Sequence, residues 1–87
     1  MPRVFIPPLL HPLTGGASEV DVEGSSVRQV IAALDERFPG IRERLCEGDQ
    51  LRPGLAVAVD GRMSSVGLLQ KVRPESEVHF LPAIGGG

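Results

Sequence analysis

The sequence predicts an α+β domain in which a mixed sheet of four or five strands packs on one main helix. Three observations predict it. Apolar residues recur at helical spacing in one clear stretch, Val27 to Phe38; short β runs stand near both ends of the chain; and Gly, Pro and Asp turn signals punctuate the rest. The resulting order is ββαββ or ββαβ(β), without an internal repeat or linker. At 87 residues the chain makes one small domain, which buries only about 60 to 65% of the surface its unfolded form exposes.

Arg3-Val4-Phe5-Ile6 is a short β run, stopped by Pro7-Pro8, which cannot donate to a ladder. Thr14-Gly15-Gly16 supplies permissive backbone for a reversal, and Glu19 to Glu23 alternates polar and apolar residues as a half-buried strand does. These segments read together as a β-hairpin. Ser26 and Gln29 stand at capping-box spacing and open the helix, whose apolar residues are Val27, Val30, Ile31, Leu34 and Phe38. Pro39-Gly40 ends it. Ile41 and Leu45 then suggest a short helical turn before a polar loop over residues 47–53. Leu55 to Val59 is the third strand, with Asp60-Gly61 as its turn signal. Residues 66–72 fit loop, short helix or strand equally. Glu77 to Leu81 is the last strand, with Val78 and Phe80 on one face and His79 and Leu81 on the other.

Composition excludes several classes of function. Nine basic residues against eleven acidic ones, with no basic cluster, leave no electrostatic footprint for nucleic acid or a membrane surface. The longest aliphatic run, residues 55–59, is far short of the roughly 18 residues a membrane span needs, and Met1-Pro2-Arg3 begins no signal peptide. A soluble, cytoplasmic protein is expected, and a single cysteine fits a reducing compartment. Cys46 reads as a small buried or half-buried thiol. His11 and His79 have no cysteine or carboxylate at metal-ligand spacing, so no metal site is expected. The glycine pair at 15 and 16 lacks the Lys-Ser/Thr of a phosphate loop. No intrinsic catalytic constellation emerges, so the chain is not expected to be an enzyme.

What remains is the ending. Gly85-Gly86-Gly87 follows directly on the apolar segment Val78 to Ile84, dividing the chain into a domain over 1–84 and a glycine tail over 85–87. Three residues reach about 10 Å when extended, and without Cβ atoms they enter a slot too narrow for other residues. Composition alone also fits a frayed end.

A ββαββ order of this length, closing in Phe80-Leu81-Pro82-Ala83-Ile84-Gly85-Gly86-Gly87, resembles the ubiquitin-like β-grasp sulfur carriers of the MoaD/ThiS family, which includes the molybdopterin synthase small subunit and the thiamine sulfur carrier. The likeness covers nearly the whole chain. Val4, Ile6, Pro7, Leu10, Pro12, Thr14-Gly15-Gly16, Gly40-Ile41, Glu43-Arg44-Leu45 and Leu81-Pro82-Ala83 make it most similar to the carrier of the cysteine-biosynthesis branch. Gly85 departs from the alanine, threonine or other small residue that the family usually has before its terminal pair, which leaves the functional end at Gly87 or at a trimmed Gly86.

The resemblance implies a mechanism carried by the terminus. A ubiquitin-activating-enzyme-like adenylyltransferase and sulfurtransferase would use ATP and magnesium to adenylate the Gly87 carboxylate, while the chain itself binds no cofactor. Sulfur would then replace the adenylate, giving a thiocarboxylate. Gly85 and Gly86 would thread the tail into the partner. The acceptor would be a cysteine synthase-like enzyme, with a metallopeptidase releasing the product, or alternatively the molybdopterin synthase large subunit or a thiamine pathway. If the fold is β-grasp, the first and last strands lie side by side with the third flanking the last. Strand alternation then places Val4, Ile6, Val57, Val59, Val78 and Phe80 against the helix. It leaves Phe5, Ala56, Ala58 and Leu81 on the open face as a partner-docking patch beside the tail's root. A protein modifier forming isopeptide bonds through Gly87, or a plain interaction domain, are the other classes that fit.

Overall fold

The computed structural model describes residues 1–63 and 65–82. The tail residues Gly85, Gly86 and Gly87, and the domain boundary at residue 84, lie outside the described residues. In chain order the elements are β1 (Arg3–Phe5), a 3-10 helix (Pro8–Thr14), β2 (Glu19–Asp21), α1 (Val27–Arg37), α2 (Ile41–Leu45), β3 (Cys46–Glu47), β4 (Gln50–Leu51), β5 (Leu55–Val59), β6 (Arg62–Met63), a 3-10 turn (Gly67–Leu69) and β7 (Glu77–Pro82).

Helix α1 forms where the 3.6-residue period predicts it. Val27, Val30, Ile31 and Leu34 form one buried stripe. Its first turn is held by Ser26, whose hydroxyl accepts from the Gln29 backbone N–H at 3.2 Å. The reciprocal bond is shifted by one residue: the Gln29 side-chain oxygen accepts from the Ser25 backbone N–H at 2.9 Å. Ser26 is bridged to Lys71, with the Val27 N–H donating to the Gln70 carbonyl at 3.0 Å, so the helix start is tied to the chain running into β7. Gly24 permits this junction. Its φ is +153°, and a Cβ there would lie 2.8 Å from the Val30 backbone nitrogen and 2.9 Å from its Cγ2, distances that only glycine avoids.

The main sheet has the order β2-β1-β7-β5-β6, with β1 and β7 parallel and the other pairs antiparallel. First and last strands are therefore neighbours at its centre, with β5 flanking β7, as the β-grasp expectation requires. The inner face presents Val20, Val4, Val78 and Val59 in register, then Phe80 and Val57, all buried in the cluster that also contains the α1 stripe. Ile6 joins the same core, and Ile41 and Leu45 of α2 are buried with it.

Several segments differ from the sequence reading. Strands β1 and β2 pair antiparallel, yet residues 6–18 between them form no tight hairpin, because Pro8–Thr14 folds as a 3-10 helix. Thr14 is buried, its hydroxyl 2.8 Å from the Ala17 carbonyl and 3.1 Å from that of His11. Gly15, at φ +66°, ends the helix in the left-handed conformation. The second strand stops at Asp21 instead of Glu23. The expected polar loop over 47–53 contains the β3–β4 ladder, a two-stranded sheet apart from the main one. Past Asp60-Gly61, both at positive φ, the chain returns as β6 and makes the fifth strand. The unassigned 66–72 stretch is a 3-10 turn followed by the bridge at Lys71.

Candidate docking face

The register places the outward side chains of the main sheet in three rows. Farthest from the C-terminal end of β7 stand Asp21, Arg3 and Glu77, each paired with the next, and Asp60 joins them by accepting the Glu77 backbone N–H at 2.9 Å. The middle row crosses all five strands as Glu19, Phe5, His79, Ala58 and Met63. The third row, one residue before Pro82, pairs Ala56 with Leu81. Polarity is thus graded along the strands, charged at one end and apolar where the chain leaves the sheet.

Of the residues expected to dock a partner, Phe5, Ala56 and Leu81 do lie together on this face, and Leu81 is 38% exposed. Ala58 is brought to the same face but is 6% exposed. An alanine in register between histidine and methionine is overtopped by both, so it forms floor instead of contact surface. His79 supplies what Ala58 does not. Its ring stacks on Phe5 with centroids 4.1 Å apart and planes 8° from parallel, a near-parallel stack slightly closer than the separations of about 4.5 to 7 Å at which aromatic pairs usually sit. Strand alternation already put His79 beside Leu81; the parallel β1–β7 register that brings it to Phe5 is a long-range feature with no local sequence signal.

The charged end is structurally fixed. The Ser76 hydroxyl donates to Asp60 Oδ2 at 2.7 Å and accepts the Arg73 N–H at 2.9 Å, while Asp60 N–H donates to the Glu77 carbonyl at 2.9 Å. The Glu77 N–H, followed by the Ser76 hydroxyl, holds the Asp60 carboxyl below the usual carboxylate range, with Arg73 and Arg62 adding to it. Arg3 lies 3.4 Å from Asp21 and 3.6 Å from Glu19, an exposed arrangement.

Cys46 is buried, and desolvation raises its thiol pKa against the opposing effect of Arg42, Arg28 and Arg52, which keeps it protonated and poorly nucleophilic. His11 Nε2 lies 2.9 Å from the Ile6 carbonyl, bracing the loop after β1. A hollow of about 600 Å³ lies between α1, β4 and the 3-10 turn, lined by Arg28, Asp49, Leu51, Leu68 and Leu69 among others, and none of the outer-face residues borders it. Among the described residues no three His, Cys, Asp or Glu side chains group as metal ligands, and no helix is long and apolar enough to cross a membrane.

Comparison with known proteins places the chain in a family. The chain is 34% identical over 91 residues to the sulfur carrier protein CysO of Mycobacterium bovis, covering 97% of this chain and 96% of that one. The crystal structure of Mycobacterium tuberculosis CysO matches with a TM-score of 0.88 at 30% identity, over 97% of this chain and 100% of that one. The crystal structure of the Amycolatopsis orientalis BexX/CysO complex matches with a TM-score of 0.90 at 30% identity, over 100% of both chains. The ThiS family profile spans residues 5–87, nearly the entire sequence from Phe5 on the outer face to the last glycine, and the chain belongs to the ThiS family.

Proposed function

We propose that this protein is a sulfur carrier serving cysteine biosynthesis, acting as a protein co-substrate of partner enzymes and performing no catalysis alone. The observation that carries the proposal is the apolar end of the outer sheet face. Phe5, His79, Ala56 and Leu81 gather where β7 runs out toward Gly85-Gly86-Gly87, in a ThiS-family chain that is 34% identical to CysO.

A carboxylate is a poor electrophile, and the reaction begins by activating it. With the outer face docked, the tail threads into a ubiquitin-activating-enzyme-like adenylyltransferase, which supplies ATP and magnesium. The Gly87 carboxylate attacks the α-phosphate, pyrophosphate leaves, and an acyl-adenylate forms. A hydrosulfide equivalent from the sulfurtransferase function then displaces AMP and leaves a thiocarboxylate on Gly87. Gly85 and Gly86 pass the partner's channel because they carry no side chain. The folded body raises the effective concentration of the tethered nucleophile at the acceptor. In the cysteine branch the acceptor is a cysteine synthase-like enzyme holding a serine-derived electrophile, and a metallopeptidase frees the cysteine left on Gly87.

The test is deletion of Gly86-Gly87. The shortened chain should melt at nearly the same temperature as the intact one while failing to support ATP–pyrophosphate exchange by the adenylyltransferase. Normal exchange by the shortened chain would overturn the proposal.

A further inference from the structure

Resting on the carrier reading above, we infer that the partner surface that receives this face is cationic at a fixed distance from the channel that takes the tail. The two rows beyond Leu81 carry the carboxylates Glu19, Asp21, Asp60 and Glu77; of the nearby cations only Arg3 stands in the rows themselves, while Arg62 and Arg73 act on Asp60 from the flanking segments, so carboxylates predominate in these rows. Arg3 is shared between Asp21 and Glu19, and no ion pair holds Glu77 among the described residues. The apolar contacts lie at the opposite end, around Leu81.

Leu81 lies four residue steps beyond Glu77 along β7, a span of about 13 Å. A partner that buries Leu81 and Phe5 at the mouth of its channel meets the acidic row about 13 Å away. Like charge there would be repelled by Glu77 and by the Glu19 and Asp21 carboxylates that share one guanidinium, whereas Arg or Lys side chains would be attracted and would fix the rotation of the carrier about its tail. The lock of Asp60 to Ser76 and to the Glu77 backbone keeps this end of the face from rearranging. Charge at such a rim acts mainly through encounter and orientation. The apolar end, continuous with the tail's root, holds the complex together.

The experiment uses the full chain and the adenylyltransferase of the same organism in ATP–pyrophosphate exchange, with KM for the carrier measured across ionic strength. From about 0.02 M to about 0.3 M salt, KM should rise about tenfold with kcat unchanged. The double variant Glu77→Gln/Asp21→Asn should raise KM severalfold at low salt, flatten the salt dependence and leave kcat intact. Glu36→Gln, on the helix, is the control for loss of a carboxylate away from this face and should keep the wild-type slope. A salt-independent KM for the unaltered chain, or a double variant that behaves like the Glu36→Gln control, would overturn the inference while leaving the carrier reading in place. Failure of the unaltered chain to be adenylated at all would remove that reading, and this inference with it.

Discussion

Phe5 and His79 sit opposite one another across the parallel β1–β7 pair, with ring centroids 4.1 Å apart and planes within 8° of parallel. The first strand thereby meets the last at the centre of the outer face. The stack supplies a flat surface on the same face as Leu81, and both rings are partly exposed. An aromatic pair of this kind contributes about 0.5 to 1.5 kcal/mol beyond its buried area.

Substituting His79→Ala should therefore weaken engagement of the activating partner more than it weakens the fold. The expected outcome is a KM for the carrier raised about 3- to 10-fold with a small loss in melting temperature. Steady-state exchange kinetics beside thermal melts make the comparison. A large fall in melting temperature with unchanged KM would show that the stack serves only the fold.

Leu81 and Phe80 are adjacent but face opposite ways, and their substitutions should separate docking from folding. Leu81→Asp should cost about 1 to 3 kcal/mol in partner binding if it anchors the interface. Phe80→Ala opens a cavity in the core and should cost about 3 to 5 kcal/mol of stability. Chemical denaturation of both variants, with binding measured on the folded one, distinguishes them.

Gly24→Ala should destabilise the domain by more than about 1 kcal/mol, since the new Cβ would meet the first turn of α1 at a backbone angle that side chains rarely adopt. Gly16→Ala, at φ +92° but with nothing within 4 Å of the added methyl, carries the backbone strain without the collision and should cost less. Urea titration of the two variants checks the order.

The strongest sequence signals were those set by local periodicity. The stripe of α1, the alternation of β5 and β7 and the cap at Ser26 all follow from residues a few positions apart, and all appear in the structure. What stayed hidden depends on distant partners. Two-residue strands such as β3, β4 and β6 are too short to show a period, and Gly24 matters only because Val30 approaches it. Ala58 looked like contact surface until His79 and Met63 were placed on either side. The 3-10 helix at Pro8–Thr14 was masked by the turn chemistry of Thr14-Gly15-Gly16, which marks its end and not a hairpin tip.

Acid should weaken the lock at the charged end of the face. The Asp60 carboxyl is held below its ordinary value by the Glu77 N–H and the Ser76 hydroxyl. A depressed folded pKa adds stability that is fully present above the unfolded value, about 3.9, and is lost as pH falls through the folded one. Asp60→Asn keeps a residue that tolerates the observed φ of +51° and, with one acceptor oxygen and one donor group, stands in for the protonated carboxyl. The melting-temperature gap between wild type and Asp60→Asn should be open at about pH 7 and should close below about pH 4. A gap that persists unchanged into strong acid would assign the effect to shape alone.

In the proposed function, sulfur is carried on the terminal glycine. Mass spectrometry of the C-terminal peptide, from protein purified out of its native cells under conditions that preserve thioacids, tests it directly. In a fraction of molecules one oxygen of the Gly87 carboxylate, or of a trimmed Gly86, should be replaced by sulfur, and a Gly-Cys terminus should appear after incubation with the cysteine synthase-like partner and its serine-derived substrate. A terminus that is always an ordinary carboxylate, together with glycine remnants branched from lysines of other proteins, would contradict it.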